Sequence, residues 1–198
     1  GETWEALKVL SLFDEDEEND LDYTSILLQY RTDIAATGSY VHVAWIDYDS
    51  YNGGYDIIYT KSSNNGNSWS EPESISTASS PGGVTVAASG SNIVISWVDF
   101  GDVFYVSSNN NGDSWSSKVE FESLSSSLNY MPELIFNEGR FHAIWTNTAS
   151  GQSVQYTSSE DGEDWSDTVY INTGGKSGIS YTPVISADGP KLYAAWSD

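Results

Sequence analysis

The sequence predicts an all-β fold of four-stranded antiparallel blades, a β-propeller with three complete repeats plus a partial repeat at each end. Three observations predict it. Tryptophan recurs in two interleaved sets with a period near fifty residues; a glycine stands three residues before every member of one set; and short apolar runs of strand length flank both sets. No stretch holds the 3.6-residue period of a helix, which excludes a helical solenoid.

The first set is Trp45, Trp97, Trp145 and Trp196, and each ends a predicted strand: Tyr40 to Trp45, Asn92 to Trp97, Arg140 to Trp145 and Lys191 to Trp196. The second set is Trp4, Trp69, Trp115 and Trp165, preceded by Gly1, Gly66, Gly112 and Gly162. The fuller pattern reads Ser62-x-Asn64-x-Gly66-x-Ser68-Trp69, then Ser108-x-Asn110-x-Gly112-x-Ser114-Trp115, then Ser158-x-Glu160-x-Gly162-x-Asp164-Trp165. Strand-like runs precede it (Asp56 to Thr60, Val103 to Val106) and follow it (Lys118 to Phe121, Thr168 to Ile171). Asn65-Gly66, Asn111-Gly112 and Asp161-Gly162 offer the positive φ that a tight hairpin needs, and the following tryptophan folds over the turn.

This pattern resembles the Asp-box, or bacterial neuraminidase repeat, Ser-x-Asp-x-Gly-x-Thr-Trp, and the resemblance to the sialidase superfamily covers the whole chain. Adding an inner strand such as Val84 to Ala87 gives four strands per repeat. The expected division is 1–22 as an outer strand with an acidic loop, 23–76, 77–124 and 125–173 as whole blades, and 174–198 as a partial blade. A chain that begins and ends inside a repeat is expected to self-associate or to continue into further blades of a longer chain, because open blade edges invite pairing.

Charge narrows the partners. With 29 Asp plus Glu against seven Lys plus Arg, and a formal net charge of -22, the chain repels phosphate, so nucleic acid and anionic membrane surfaces are excluded. No apolar run reaches spanning length, so membrane insertion is not expected. Glycan and protein remain as partners. The absence of cysteine rules out disulfides and thiolate metal sites. No cofactor is expected, with calcium left open at Asp14, Asp16, Asp20 and Asp22, an oxygen-rich run that lacks the glycine of an EF-hand loop and reads first as a solvated acidic loop. His42 and His142 sit in predicted strands without ligand partners nearby in sequence and read as packed or surface residues rather than metal ligands.

The loops entering the first strands and leaving the second strands share one end of the blades. That end would carry Tyr30, Arg31, Tyr130, Tyr181, Asp47, Asp49, Asp99, Asn147 and Asp198. The tyrosines recur 15 residues before a first-set tryptophan, and Asp47, Asp99, Asn147 and Asp198 recur two after one, a regularity that also suits a structural turn. Tyr30-Arg31-Thr32-Asp33 is similar to the Phe/Tyr-Arg-Ile-Pro motif of sialidases, which implies carboxylate recognition by Arg31, although Thr32 and Asp33 depart from it. The same resemblance places Asp47 or Asp49 in the region of the family's acid/base aspartate.

Gripping a carboxylate takes clustered guanidinium groups. The other arginine, Arg140, opens a second strand at the opposite end. The expected function is therefore a non-catalytic glycan- or protein-recognition module, which the family resemblance places outside the cell or at its surface, the alternatives being a fragment of a sialidase-type hydrolase or an architectural part of an acidic surface protein.

Overall fold

The computed structural model describes residues 32–49, 53–121, 129–147, 153–171 and 181–197. Within them the chain forms β1 (Asp33–Thr37), β2 (Tyr40–Asp49), β3 (Gly54–Ser62) and β4 (Glu73–Ala78) as a first sheet. A second sheet contains β5 (Pro81–Ser89), β6 (Asn92–Asp99), β7 (Asp102–Ser108) and β8 (Val119–Glu120), and a third β9 (Asn129–Asn137), β10 (Arg140–Asn147), β11 (Ser153–Ser159) and β12 (Val169–Tyr170). Strands β13 (Tyr181–Asp188) and β14 (Lys191–Ser197) pair as a fourth, two-stranded sheet. Neighbours pair antiparallel in chain order, so each connection is a hairpin or a short loop.

Alternation along the strands decides what each sheet buries. Ala44, Ile46, Ile57 and Tyr59 of the first sheet meet Val84, Val86, Ile95 and Trp97 of the second. The other face of the second sheet sends Ala87, Val94, Val98 and Tyr105 against Leu134, Phe141, Ala143 and Trp145 of the third. Trp97 and Trp145 are completely buried. By area, such an indole contributes at most about 4 to 6 kcal/mol.

The polar turns after the third strands are built from hydrogen bonds as well as from glycine. Ser62 Oγ accepts the Gly66 N–H at 2.8 Å, Asn64 Oδ1 accepts the Ser68 N–H at 2.8 Å, and Trp69 Nε1 donates to the Gly66 carbonyl at 3.1 Å. Ser108, Asn110 and Gly112 repeat the first two bonds. Asn65 and Asn111 take φ of 58° and 59° ahead of their glycines.

The third copy corrects the sequence alignment by one residue. Its bonds come from Ser159 and Asp161, not Ser158 and Glu160: Ser159 Oγ accepts the Gly162 N–H at 2.8 Å, and Asp161 Oδ1 accepts the Glu163 and Asp164 N–H groups at 2.9 Å each. The turn is one residue shorter, so only Gly162 has positive φ, and Arg140 claims Ser158 Oγ instead. The three N–H and hydroxyl bonds hold the Asp161 carboxyl below its usual range.

These turns also join the sheets. Tyr59 lies edge-on to Trp115 at 4.8 Å, and a Cβ on Gly112 would run into the Tyr59 hydroxyl. Tyr105 meets Trp165 at 5.7 Å and donates to the Glu163 carbonyl at 3.2 Å. Lys61 bonds the Asn111 carbonyl at 2.9 Å and pairs with Asp113. On the strand side, His42 and His142 bond Tyr59 and Tyr156 at 2.7 and 2.8 Å.

The β-propeller expectation is corrected by this arrangement. Among the described residues each sheet is open, none closes or curls on itself, and sheet packing runs first to second, second to third and third to fourth, without extensive packing from fourth to first. The physical reason is that the tryptophan period encodes one local unit and its fit to the next. Ring closure depends on unit number and cumulative rotation, which no local motif specifies. What stands is a row of blade-like antiparallel sheets.

Candidate functional site

The ends of β6 and β10 lie beside the starts of the first strands of their sheets, as the pairs Pro81 with Asp99 and Asn129 with Asn147 show, while β2 runs five residues past Ala44, the partner of Asp33 at the start of β1. Asp47, Asp49, Asp99 and Asn147 thus stand at the same strand end of three successive sheets, with Tyr130 opposite Thr146 and Tyr181 opposite Ser197 in the ladders. Tyr30, Arg31, Asp198, and Asp14, Asp16, Asp20 and Asp22 lie outside the described residues. Among the described residues no three His, Cys, Asp or Glu side chains form a group suited to a metal ion.

Equivalent acids differ in surroundings. Asp99 is buried, its Oδ1 accepting the Ser79 and Ser80 N–H groups at 3.0 and 2.9 Å and its Oδ2 held by Lys118 at 2.9 Å. Burial alone would raise its pKa. The Ser80 N–H, the Lys118 ammonium and the Ser79 N–H outweigh that and hold it below the usual carboxylate value. Lys118 in turn sits 4.0 Å from the Phe104 ring centroid. Asp99 thus staples the corner between β4 and β5.

Asp47 is exposed and accepts the N–H of Tyr48 at 2.9 Å. Asp56 stands directly opposite it in the ladder, a like-charged pair that costs stability unless something else uses it. Ser74 Oγ donates to Asp56 at 2.8 Å. Asn147 is buried opposite Ser153. Arg140 lies at the far end of β10 and pairs with Glu160 at 2.7 Å, so no arginine among the described residues reaches the strand-end face.

Two aromatic features were missed from sequence. Tyr48 is exposed and packs on Tyr55 at 5.1 Å with planes 60° apart, next to Asp47. Phe100 is exposed at the same end of the second sheet with φ of 52°, a strained value for a bulky residue. The signal was present: each stands three residues after a first-set tryptophan, Trp45 and Trp97. Chemically the face offers ring surfaces and carboxylate acceptors, and the Asp99 carboxylate among them is already taken up by two N–H groups and Lys118.

Fold and site define an all-β module of blade-like sheets whose β-rich fold resembles those of several carbohydrate-active enzymes. Among solved structures, a mutant of the NanB sialidase from Streptococcus pneumoniae is similar with a TM-score of 0.53 and 18% identity, over 77% of this chain and 25% of that chain. A Penicillium chrysogenum α-L-arabinanase complexed with arabinobiose is similar with a TM-score of 0.53 and 13% identity, over 81% of this chain and 54% of that chain. An α-L-arabinofuranosidase from Fusarium graminearum, complexed with an iminosugar inhibitor, follows with a TM-score of 0.50 and 13% identity, over 80% and 54%. The chain spans about a quarter to about half of these proteins. No family model matches it, nor does any curated protein. The likeness is one of fold and extends beyond sialidases. No helix of the structure is long and apolar enough to cross a membrane among the described residues.

Proposed function

We propose that the chain is a non-catalytic, extracellular module that recognises a neutral glycan at the strand-end face of its first two sheets. The observation that carries this reading is the ring of Tyr48, exposed and braced on the half-buried Tyr55 at the outer end of the β2–β3 ladder, with the Asp47 and Asp56 carboxylates one rung away on the other face of the same strand end. Sugar rings present C–H faces that pack on aromatic rings and hydroxyls that donate to carboxylates, so a strand end that carries an exposed ring on one face and acceptors at its rim suits them. Phe100, exposed at a strained φ, offers a further ring at the corresponding strand end of the second sheet.

A net charge of -22 disfavours acidic sugars, which argues for a neutral ligand. Fold likeness to enzymes that act on carbohydrates supports the ligand class, and the lack of any arginine at this face among the described residues supports a binding role over a sialidase-type catalytic one. Calorimetric titration with neutral pentose and hexose oligosaccharides tests the reading. Binding that weakens about tenfold in Tyr48→Ala supports it; product formation from any of these oligosaccharides would overturn the non-catalytic assignment.

A further inference from the structure

The two ends of the row of sheets expose the two halves of an interface that the chain already makes internally. At each junction the first strand of one sheet packs its backward face on the preceding sheet. Val86 on β5 and Leu134 on β9 occupy this position and are 4% and 5% exposed. Counted back from the turn into the second strand, Ile34 on β1 is their equivalent, and it is 62% exposed. Trp45, on the same backward face, is also less buried than Trp97 and Trp145.

The forward face shows the reverse. Three residues before the first-set tryptophan stand His42, Val94 and His142, and one residue before it Ala44, Ser96 and Ile144; all six are buried. Their equivalents on β14 are Tyr193, 53% exposed, and Ala195, also exposed. Val184, paired with Ala195 in the ladder, adds a further exposed apolar side chain to that face.

We propose that the chain associates head to tail with a second copy of itself, the Ile34 face of the first sheet packing on the Tyr193–Ala195 face of the fourth. The occupant follows from repetition. A first strand carrying an apolar residue at the Ile34 position covers the forward face of the preceding sheet at the first-to-second and second-to-third junctions, and a second copy presents that same strand. Such a contact joins unlike surfaces, so it adds copies in sequence. The charge of each copy opposes it, and salt screens that repulsion.

Sedimentation of the full chain across concentration, at low and high salt, reads the association directly. Average mass is expected to rise with concentration and to rise further with salt. Ile34→Glu and Tyr193→Glu, each at an exposed position, should sediment as monomers when alone. Mixed, they should form a dimer and go no further, because one variant keeps its forward face and the other its backward face. Recovery on mixing also proves that both variants are folded. Ala36→Glu and Val184→Glu serve as replacements if either variant loses the wild-type circular dichroism spectrum. A wild-type monomer in every condition, folded variants that still associate alone, or a mixture of folded variants that stays monomeric would each overturn the proposal.

Discussion

Asp47 and Asp99 stand at the same place in two successive sheets, two residues after a tryptophan at the end of the second strand. One is an exposed acid bonded to its own neighbour's N–H; the other is buried and holds two backbone N–H groups and a lysine. A recurring residue therefore has no single role. In the second sheet the acid is consumed by the corner it stabilises. In the first sheet it stays available, next to Tyr48.

The largest expected difference lies in stability. Asp99→Ala leaves Lys118 and two N–H groups without their acceptor and should lower unfolding free energy by about 2 to 4 kcal/mol. Asp47→Ala should stay within about 0.5 kcal/mol. Urea denaturation of both variants checks this, and equal losses would break the comparison.

Acid titration sharpens it. Burial, reinforced by the nearby Lys61 charge, lowers the His42 pKa to about 4 from its usual 6.5. The unfolded chain thus takes up a proton that the folded chain refuses, and stability, full above pH 6.5, should decline as pH falls towards 4. Asp99, depressed below its usual 3.8, contributes stability that is present above that value and lost as pH falls through its folded pKa. The urea midpoint followed against pH should show both declines in the wild type. Asp99→Asn should keep the upper one and lose the lower.

A smaller effect is expected at Phe100. Replacing it with glycine relieves a positive φ and should raise stability by about 1 kcal/mol, while weakening glycan binding. A loss of stability with unchanged binding would assign Phe100 to packing instead.

Much of the fold was legible because it is local. Alternating runs ending at Trp45, Trp97, Trp145 and Trp196 specified strands, and glycine three residues before Trp69, Trp115 and Trp165 located the turns. The one-residue shift in the third turn was hidden because Ser158-Ser159 and Glu160-Asp161 offer the same side-chain chemistry in either alignment. Only hydrogen bonding from Ser159 and Asp161 decides between them.

Ring closure was not legible, since it depends on how units add rather than on any residue within one. At the candidate site, position identified Asp47 and Asp99 together but could not separate them. Their difference comes from Lys118, Ser79 and Ser80, which lie 19 to 20 residues from Asp99 and reach it only after the sheets have packed. Tyr48 and Phe100 escaped notice because single exposed aromatics at strand ends and turns are ordinary in sequence. Their shared offset from a buried tryptophan is what marks them.

The central claim is that the first sheet's strand end is a glycan-binding surface while the second sheet's acid is structural. Titration of a neutral oligosaccharide into wild type and Tyr48→Ala, with folding verified by thermal melting, tests it most directly. The account predicts saturable binding by wild type, weakened about tenfold in the variant at an unchanged melting temperature. Equal binding by both proteins, or none by the wild type across neutral pentose and hexose oligosaccharides, would contradict it.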